Sequence, residues 1–172
     1  MPKESELHIV AEDIRVVAYS REHARSISEH LFEGVPEEVV LSQREELLKP
    51  GPEKVFSVCA LHGAEVVGVC TGVRMTWAGS RHRIEMVQVV VREGFRRRGV
   101  ARKMMKLVAE HFSTRGVEIV QVSGEHTNKE AIAAYQRLGF HQFGLLKDGL
   151  KFDDSYSDEV MLAAPIQKML GK

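Results

Sequence analysis

Between Arg92 and Lys106 the chain carries seven basic side chains, Arg92, Arg96, Arg97, Arg98, Arg102, Lys103 and Lys106, against a single acid, Glu93. Over all 172 residues the charges cancel, with 24 Lys plus Arg against 24 Asp plus Glu, and residues 1 to 50 are acidic, with eleven acids and six bases. A local basic excess in a neutral protein suits one anionic ligand rather than the many phosphates of a duplex, so no nucleic-acid partner is expected. At the centre of the segment, Arg96-Arg97-Arg98-Gly99-Val100-Ala101 joins a strand ending at Val91 to the start of a helix. Such a junction is an anion cradle. First-turn amides lack intrahelical partners, the helix dipole adds positive potential, and glycine lets a phosphate approach the backbone. A diphosphate is the ligand it suits, yet the order of residues matches neither GxxxxGK[ST] nor GxGxxG, which sets aside ATP and NAD.

The elements that position this turn follow from periodicity and breakers. Ile14 to Tyr19 reads as a strand and Arg21 to Phe32 as a helix stopped by Gly34; a second helix runs from Pro36 to about Leu48 and is broken by Lys49-Pro50-Gly51-Pro52. Val55 to Leu61 and Val66 to Met75 form a hairpin around His62-Gly63. Arg83 to Val91 is apolar at nearly every position after Met86, the pattern of a strand inside a sheet and covered on both faces. Val100, Met104, Leu107, Val108 and Phe112 then share one helical face as far as Gly116, and Val117 to Val122 is a strand. The strand, helix, strand unit implies a parallel pair with a right-handed crossover. A helix from about Asn128 to Leu138, ended by Gly139, precedes closing strands Phe140 to Leu146 and Tyr156 to Ala163. The expected fold is α+β, a mixed and mostly antiparallel sheet of about seven strands with one parallel crossover and helices on both faces.

At this point the sequence resembles the GNAT superfamily of acyl-CoA-dependent N-acetyltransferases. Arg96, Gly99 and Ala101 match its [Q/R]-x-x-G-x-[G/A] signature, and Asn128, Ala131, Tyr135, Gly139 and Phe140 match N-x-x-A-x-x-x-Y-x-x-x-G-F, 32 residues further on. The likeness is sharp from about Arg83 to Phe140. It implies that the backbone of Val89, Val90 and Val91 pairs with the pantetheine arm of coenzyme A as an added strand. The amides from Arg97 through Arg98, Gly99, Val100 and Ala101 to Arg102 would hold the diphosphate, with arginine side chains, Arg96 included, near the phosphates. Asn128 would bond the pantetheine, and Tyr135 would point its hydroxyl at the sulfur.

Acyl transfer to an amine needs a base, a polarised carbonyl and a protonated leaving group. The base nominated is Glu85, 11 residues before Arg96, at the spacing of the glutamate base in the histone-acetylating branch of the family. The ribosomal-protein branch carries a glutamate on the next strand, where this chain has Ser123; Glu125 and His126 lie just beyond. The carbonyl falls to a main-chain N–H near Val90, and the leaving group to Tyr135, since a tyrosine with a pKa of about 10 stays protonated at neutral pH. Plainer roles stand beside these. Asn128, or Thr127 with Glu130, would cap a helix, Tyr135 would pack in a core, and Glu85 would pair with Arg81 or Arg83. The acids Asp148, Asp153, Asp154, Asp158 and Glu159 read as a solvated hairpin loop, or as the mouth of the acceptor site attracting a cationic amine.

The expected protein is one N-acetyltransferase domain over residues 1–172 that moves an acetyl group from acetyl-CoA, as co-substrate, to a primary amine of a small molecule or peptide by direct attack in a ternary complex. The competing function is a non-catalytic acyl-CoA-binding sensor or interaction module. The eight histidines, from His8 to His141, form no HExxH or i, i+4 pair, and no metal is expected. Cys59 and Cys70 have no CxxC spacing and suit small buried thiols in a reducing cytosol. The opening Met1-Pro2-Lys3-Glu4-Ser5-Glu6 lacks the parts of a signal peptide, and no apolar run reaches about 20 residues, so a cytoplasmic location without a membrane partner is expected. A homodimer is the commonest arrangement for such a chain.

Overall fold

The computed structural model describes residues 13–172, so His8 and the opening Met1 to Glu6 stretch lie outside the described residues. Strand β1 (Ile14–Ala18) leads through one turn of 3-10 helix into α1 (Ala24–His30), then α2 (Glu37–Leu48). The hairpin of β2 (Val55–His62) and β3 (Glu65–Arg74) turns at Gly63, whose φ of 60° is readily reached by glycine. β4 (Arg83–Val91), α3 (Val100–Ser113) and β5 (Ile119–Glu125) follow, then α4 (Lys129–Arg137), β6 (His141–Phe152), β7 (Ser155–Pro165) and the short α5 (Ile166–Met169). The seven strands lie in the order β1-β2-β3-β4-β5-β7-β6. Arg83↔Ile119 to Met86↔Val122 is the parallel ladder, while β1–β2, β5–β7 and β6–β7 are antiparallel.

Two compact units make up the chain. One ends at Thr71 and resumes over Gln88–Val108; the other comprises Gly72–Val87 and Ala109–Lys172. The first is centred on Ala24, Ile27 and Val40 of the two amino-terminal helices, packed with Cys59 and Leu61 of β2 and Val66 and Val69 of β3. In the second, alternation puts Ile84 and Met86, Val120 and Val122, and Val160 and Leu162 in the core, while Glu85, Gln121, Ser123, Glu159 and Met161 share the opposite, half-buried face. Helix α3 buries Val100, Met104, Met105, Val108 and Phe112 along its apolar stripe.

Three expectations change. The β4 strand is internal in the sheet order but is not covered along its length: Val87 and Val89 to Val91 are half-buried and Gln88 is exposed. Gln88 has a φ of 54°, a left-handed residue that interrupts the pleat of the valine run. The closing strands are longer than expected and take in Asp148, Asp158 and Glu159, while Asp153 and Asp154 form the hairpin turn between them. Asp148 and Asp153, with φ of 53° and 52°, sit within the hairpin, and Asp158 Oδ1 accepts the Asp148 N–H at 2.9 Å where the register shifts between Leu146 and Leu150. Aspartate tolerates this conformation because its short side chain bonds nearby backbone, so Asp148 bends β6 without ending it, whereas Asp153 opens the turn from β6 to β7. β5 starts at Ile119 rather than Val117, and runs to Glu125.

Cys59 and Cys70 are buried free thiols, and burial pushes each up to about 12, which leaves them as unreactive small apolar groups.

Candidate active site

In the first unit the β4–α3 junction is a strained turn. Arg97 and Gly99 both adopt left-handed φ, 60° and 74°, and Lys103 N–H to Gly99 C=O at 3.0 Å is the first bond of the α3 ladder. The amides of Val100, Ala101 and Arg102 are therefore the first-turn donors that no intrahelical carbonyl can accept. A Cβ built on Gly99 meets nothing within 4 Å, so the face of the turn is open. Among the described non-glycine residues only Gln88, Arg97, Asp148 and Asp153 have positive φ. Two of the four flank Val89 to Val91 and the arginine turn, the kind of stored backbone strain that marks functional segments.

The arginines divide their work. Arg96 Nε donates to the Val91 carbonyl at 3.0 Å and so closes the loop. Arg92 donates its N–H to Val67 C=O at 2.8 Å, pairs with Glu65 at 3.1 Å and lies over the Phe95 ring. Arg97 and Arg102 are exposed and Arg98 is half-buried. A groove of about 810 Å³ is lined by Val90, Val91, Arg92 to Phe95, Arg96 and Arg98 on one side and by His30, Leu31 and Glu33 on the other. It brings together Val90, Val91, Arg96 and Arg98 of the expected cofactor residues; Val89, Arg97 and Gly99 to Arg102 are not part of its lining. His30, Leu31 and Glu33 were not singled out from sequence, because a helix end and its loop carry no motif.

Gly68 explains how β4 is held in that wall. A Cβ there would stand 3.1 Å from the Val90 main-chain oxygen and 2.9 Å from Met104 Cε. The thioether end of Met104 can swing away, whereas the carbonyl of a paired strand cannot. Gly68→Val is expected to lose about 1–3 kcal/mol in urea denaturation, with Gly68→Ala nearer the lower figure.

The second unit holds Glu85, Asn128 and Tyr135. Asn128 is the N-cap of α4, its Oδ1 accepting the Ala131 N–H at 3.1 Å. Thr127 with Glu130 is not the cap, contrary to one alternative above, because the helix begins one residue later. The Asn128 carbonyl oxygen is thus committed, and the donor half of the amide is the part suited to a ligand. Tyr135 is 8% exposed, its ring 5.9 Å from that of Phe140. Glu85 makes no ion pair with Arg81 or Arg83. Burial first, and the negative charge of Glu159 second, raise its carboxyl above the ordinary carboxylate range. Glu159 itself accepts the Ser123 hydroxyl at 2.6 Å. The sequence offered Glu159 as an acid of a solvated hairpin loop or of the acceptor-site mouth, within the expected strand Tyr156 to Ala163; its place beside Ser123 comes from the β5–β7 register.

Comparison with known proteins now decides the family. The model of the acetyltransferase (GNAT) family matches residues 18–140. The chain belongs to the GNAT family. A ribosomal protein bS18-alanine N-acetyltransferase of Salmonella typhimurium is 27% identical over 81 residues, 47% of this chain and 55% of the relative, so the chain spans about half the length of that curated relative. A ribosomal-protein-alanine N-acetyltransferase structure from Brucella melitensis superposes with a TM-score of 0.75 at 18% identity, over 88% of this GNAT chain and 99% of the other. The structure of yncA from Salmonella typhimurium with its cofactor acetyl-CoA gives 0.71 at 14% identity, over 90% and 94%. At these identities the structures show the GNAT fold. No helix among the described residues is long and apolar enough to cross a membrane.

Proposed function

We propose that the chain, as one acetyltransferase domain, transfers an acetyl group from acetyl-CoA to a primary amine by direct attack in a ternary complex. The observation that carries this is the β4–α3 turn, where Arg97 and Gly99 adopt left-handed φ beside the open first turn of α3 in a GNAT chain. Amides of residues Arg97 to Arg102 suit a diphosphate, and Arg98 and Arg102 add charge without needing a bidentate fit. Arg96 closes the loop through Val91, so its part in phosphate binding is mainly to shape the turn. Val89 to Val91 offer main-chain groups to the pantetheine, with an amide near Val90, after the Gln88 interruption, as the carbonyl donor. Acetyl-CoA supplies an acetyl group activated as a thioester. The Asn128 amide would donate to the cofactor arm, Glu85 would take a proton from the amine, and Tyr135 would give one to the departing sulfur.

Calorimetry with acetyl-CoA and with coenzyme A tests the cradle. Gly99→Val should weaken both by about tenfold, since a β-branched residue at that φ loses roughly 1–2 kcal/mol and displaces the amides it was meant to aim. Wild-type protein that shows no binding heat for either ligand would rule the function out. Tight binding without amine-dependent thiol release would leave the non-catalytic sensor in its place.

A further inference from the structure

The half-buried face of the second unit carries a polar arrangement that the family motifs do not describe. Glu85 on β4 is in register with Gln121 on β5, and Gln121, Ser123 and Glu125 on β5 oppose Ala163, Met161 and Glu159 on β7. Ser123, standing where the ribosomal-protein branch has its glutamate, donates to Glu159 Oε1 at 2.6 Å and fixes that carboxylate on the face it shares with Glu85. Gln121 Oε1 is buried between them in the sheet and has no hydrogen-bond donor. Glu85, Glu159 and an unmatched amide oxygen on one face make a site rich in acceptors, with the buried Arg83 Nε two residues before Glu85 as a donor beside it. Its natural complement is a group with several N–H bonds and a positive charge.

We infer that Glu159, pinned by Ser123, is the second carboxylate of the acceptor site, and that it and Glu85 receive the acceptor as an alkylammonium ion. This rests on the acetyltransferase function proposed above and names its substrate class, an amine that arrives protonated. Glu85 takes one proton from the ammonium. The amine nitrogen then forms the C–N bond to the acetyl carbon as the C–S bond breaks, the sulfur ends with a proton from Tyr135, and Tyr135 regains one from the nitrogen. One ammonium and one thioester give one amide, one thiol and one proton. Glu159 is a positioning and binding residue in this scheme, and its charge, after burial, raises the Glu85 carboxyl until substrate ammonium compensates it.

Other charged groups bear on the pair. Arg83 precedes Glu85 on β4 with its Nε buried and unpartnered, Glu125 opposes Glu159 from β5, and Lys147 and Asp148 lie on β6 beside Asp158 of β7. The scheme requires that Glu159, not these, dominates Glu85. Carboxylate-labelled NMR titration of wild type, Glu159→Gln and Ser123→Ala tests it directly, with turnover measured on cyclohexylamine, cationic at neutral pH, and on aniline, neutral and of like size. In Glu159→Gln the Glu85 midpoint should fall and the acid limb of kcat/KM should move to lower pH with it. KM for cyclohexylamine should rise at least tenfold, and the preference for cyclohexylamine over aniline should shrink. Ser123→Ala should do part of each. A Glu85 midpoint that stays put in Glu159→Gln overturns the inference, as does a KM within twofold of wild type. Wild-type protein that binds acetyl-CoA but acetylates neither amine counts against the proposed function instead, and the NMR titration still decides the carboxylate pair.

Discussion

Glu85→Gln is expected to lower kcat at pH 7.5 by about 10²- to 10³-fold and, at the same pH, to raise the melting temperature. The upper bound follows from the substrate. An alkyl amine with a pKa near that of lysine, about 10.4, is only about one part in a thousand neutral at pH 7.5, so a site that cannot remove the proton works with that fraction. The variant's rate should accordingly climb about tenfold per pH unit, while the wild type levels off above the raised value of Glu85. Stability moves the other way. Glu85 binds its proton more tightly in the folded protein than in the unfolded chain, because burial and Glu159 oppose its charge. Its contribution is therefore complete below the ordinary carboxylate range and is lost as pH rises through the raised value. Glutamine suffers no such loss, so the gain in melting temperature should be present at pH 8 and vanish near pH 4. A carboxylate with a merely structural part would give neither the pH rescue nor the opposed signs. Thermal melts and pH profiles on the same preparations check both, with acetyl-CoA affinity expected unchanged.

Much of this site was legible because its chemistry sits in short range. The arginine turn, Gly99 and the change from an apolar strand to a 3.6-residue period all fall between Arg83 and Phe112; the strand bounds there agree with the structure to the residue, and the helix, expected as far as Gly116, ends at Ser113. What could not be read depends on partners distant in sequence. Val-Gln-Val-Val-Val looks like an uninterrupted core strand, and nothing local signals that Gln88 will turn left-handed. Arg44 carries no local signal of burial, yet it is 3% exposed, donating to Ser57 at 3.0 Å and Thr71 at 3.2 Å, a polar core made by residues 13 and 27 positions away. Glu159 read both as part of the closing strand Tyr156 to Ala163 and as an acid of the hairpin loop, because the aspartates of the cluster all precede it. Asp153 and Asp154 do form the turn, while Asp158 and Glu159 fall in β7, which gives Glu159 a fixed face.

Tyr135→Phe should reduce kcat by about tenfold to a hundredfold with little change in stability, an effect smaller than that of Glu85→Gln for a physical reason. A thiol has a pKa of about 8.5, so its thiolate already leaves tolerably at neutral pH, and a proton donor relieves a shorter deficit than the base does. The ring itself is the structural part of this residue. Only 8% exposed and set against Phe140 on the helix whose end Gly139 closes with a φ of 95°, it fills space that phenylalanine fills equally. Tyr135→Ala removes both parts and should lose about 3 kcal/mol or more of stability besides the activity. The contrast assigns the two functions of one side chain. Catalysis that falls in both variants while stability falls only in alanine places the hydroxyl at the reacting atoms. If Tyr135→Phe keeps full activity, Tyr135 is a core residue and the sulfur takes its proton from water.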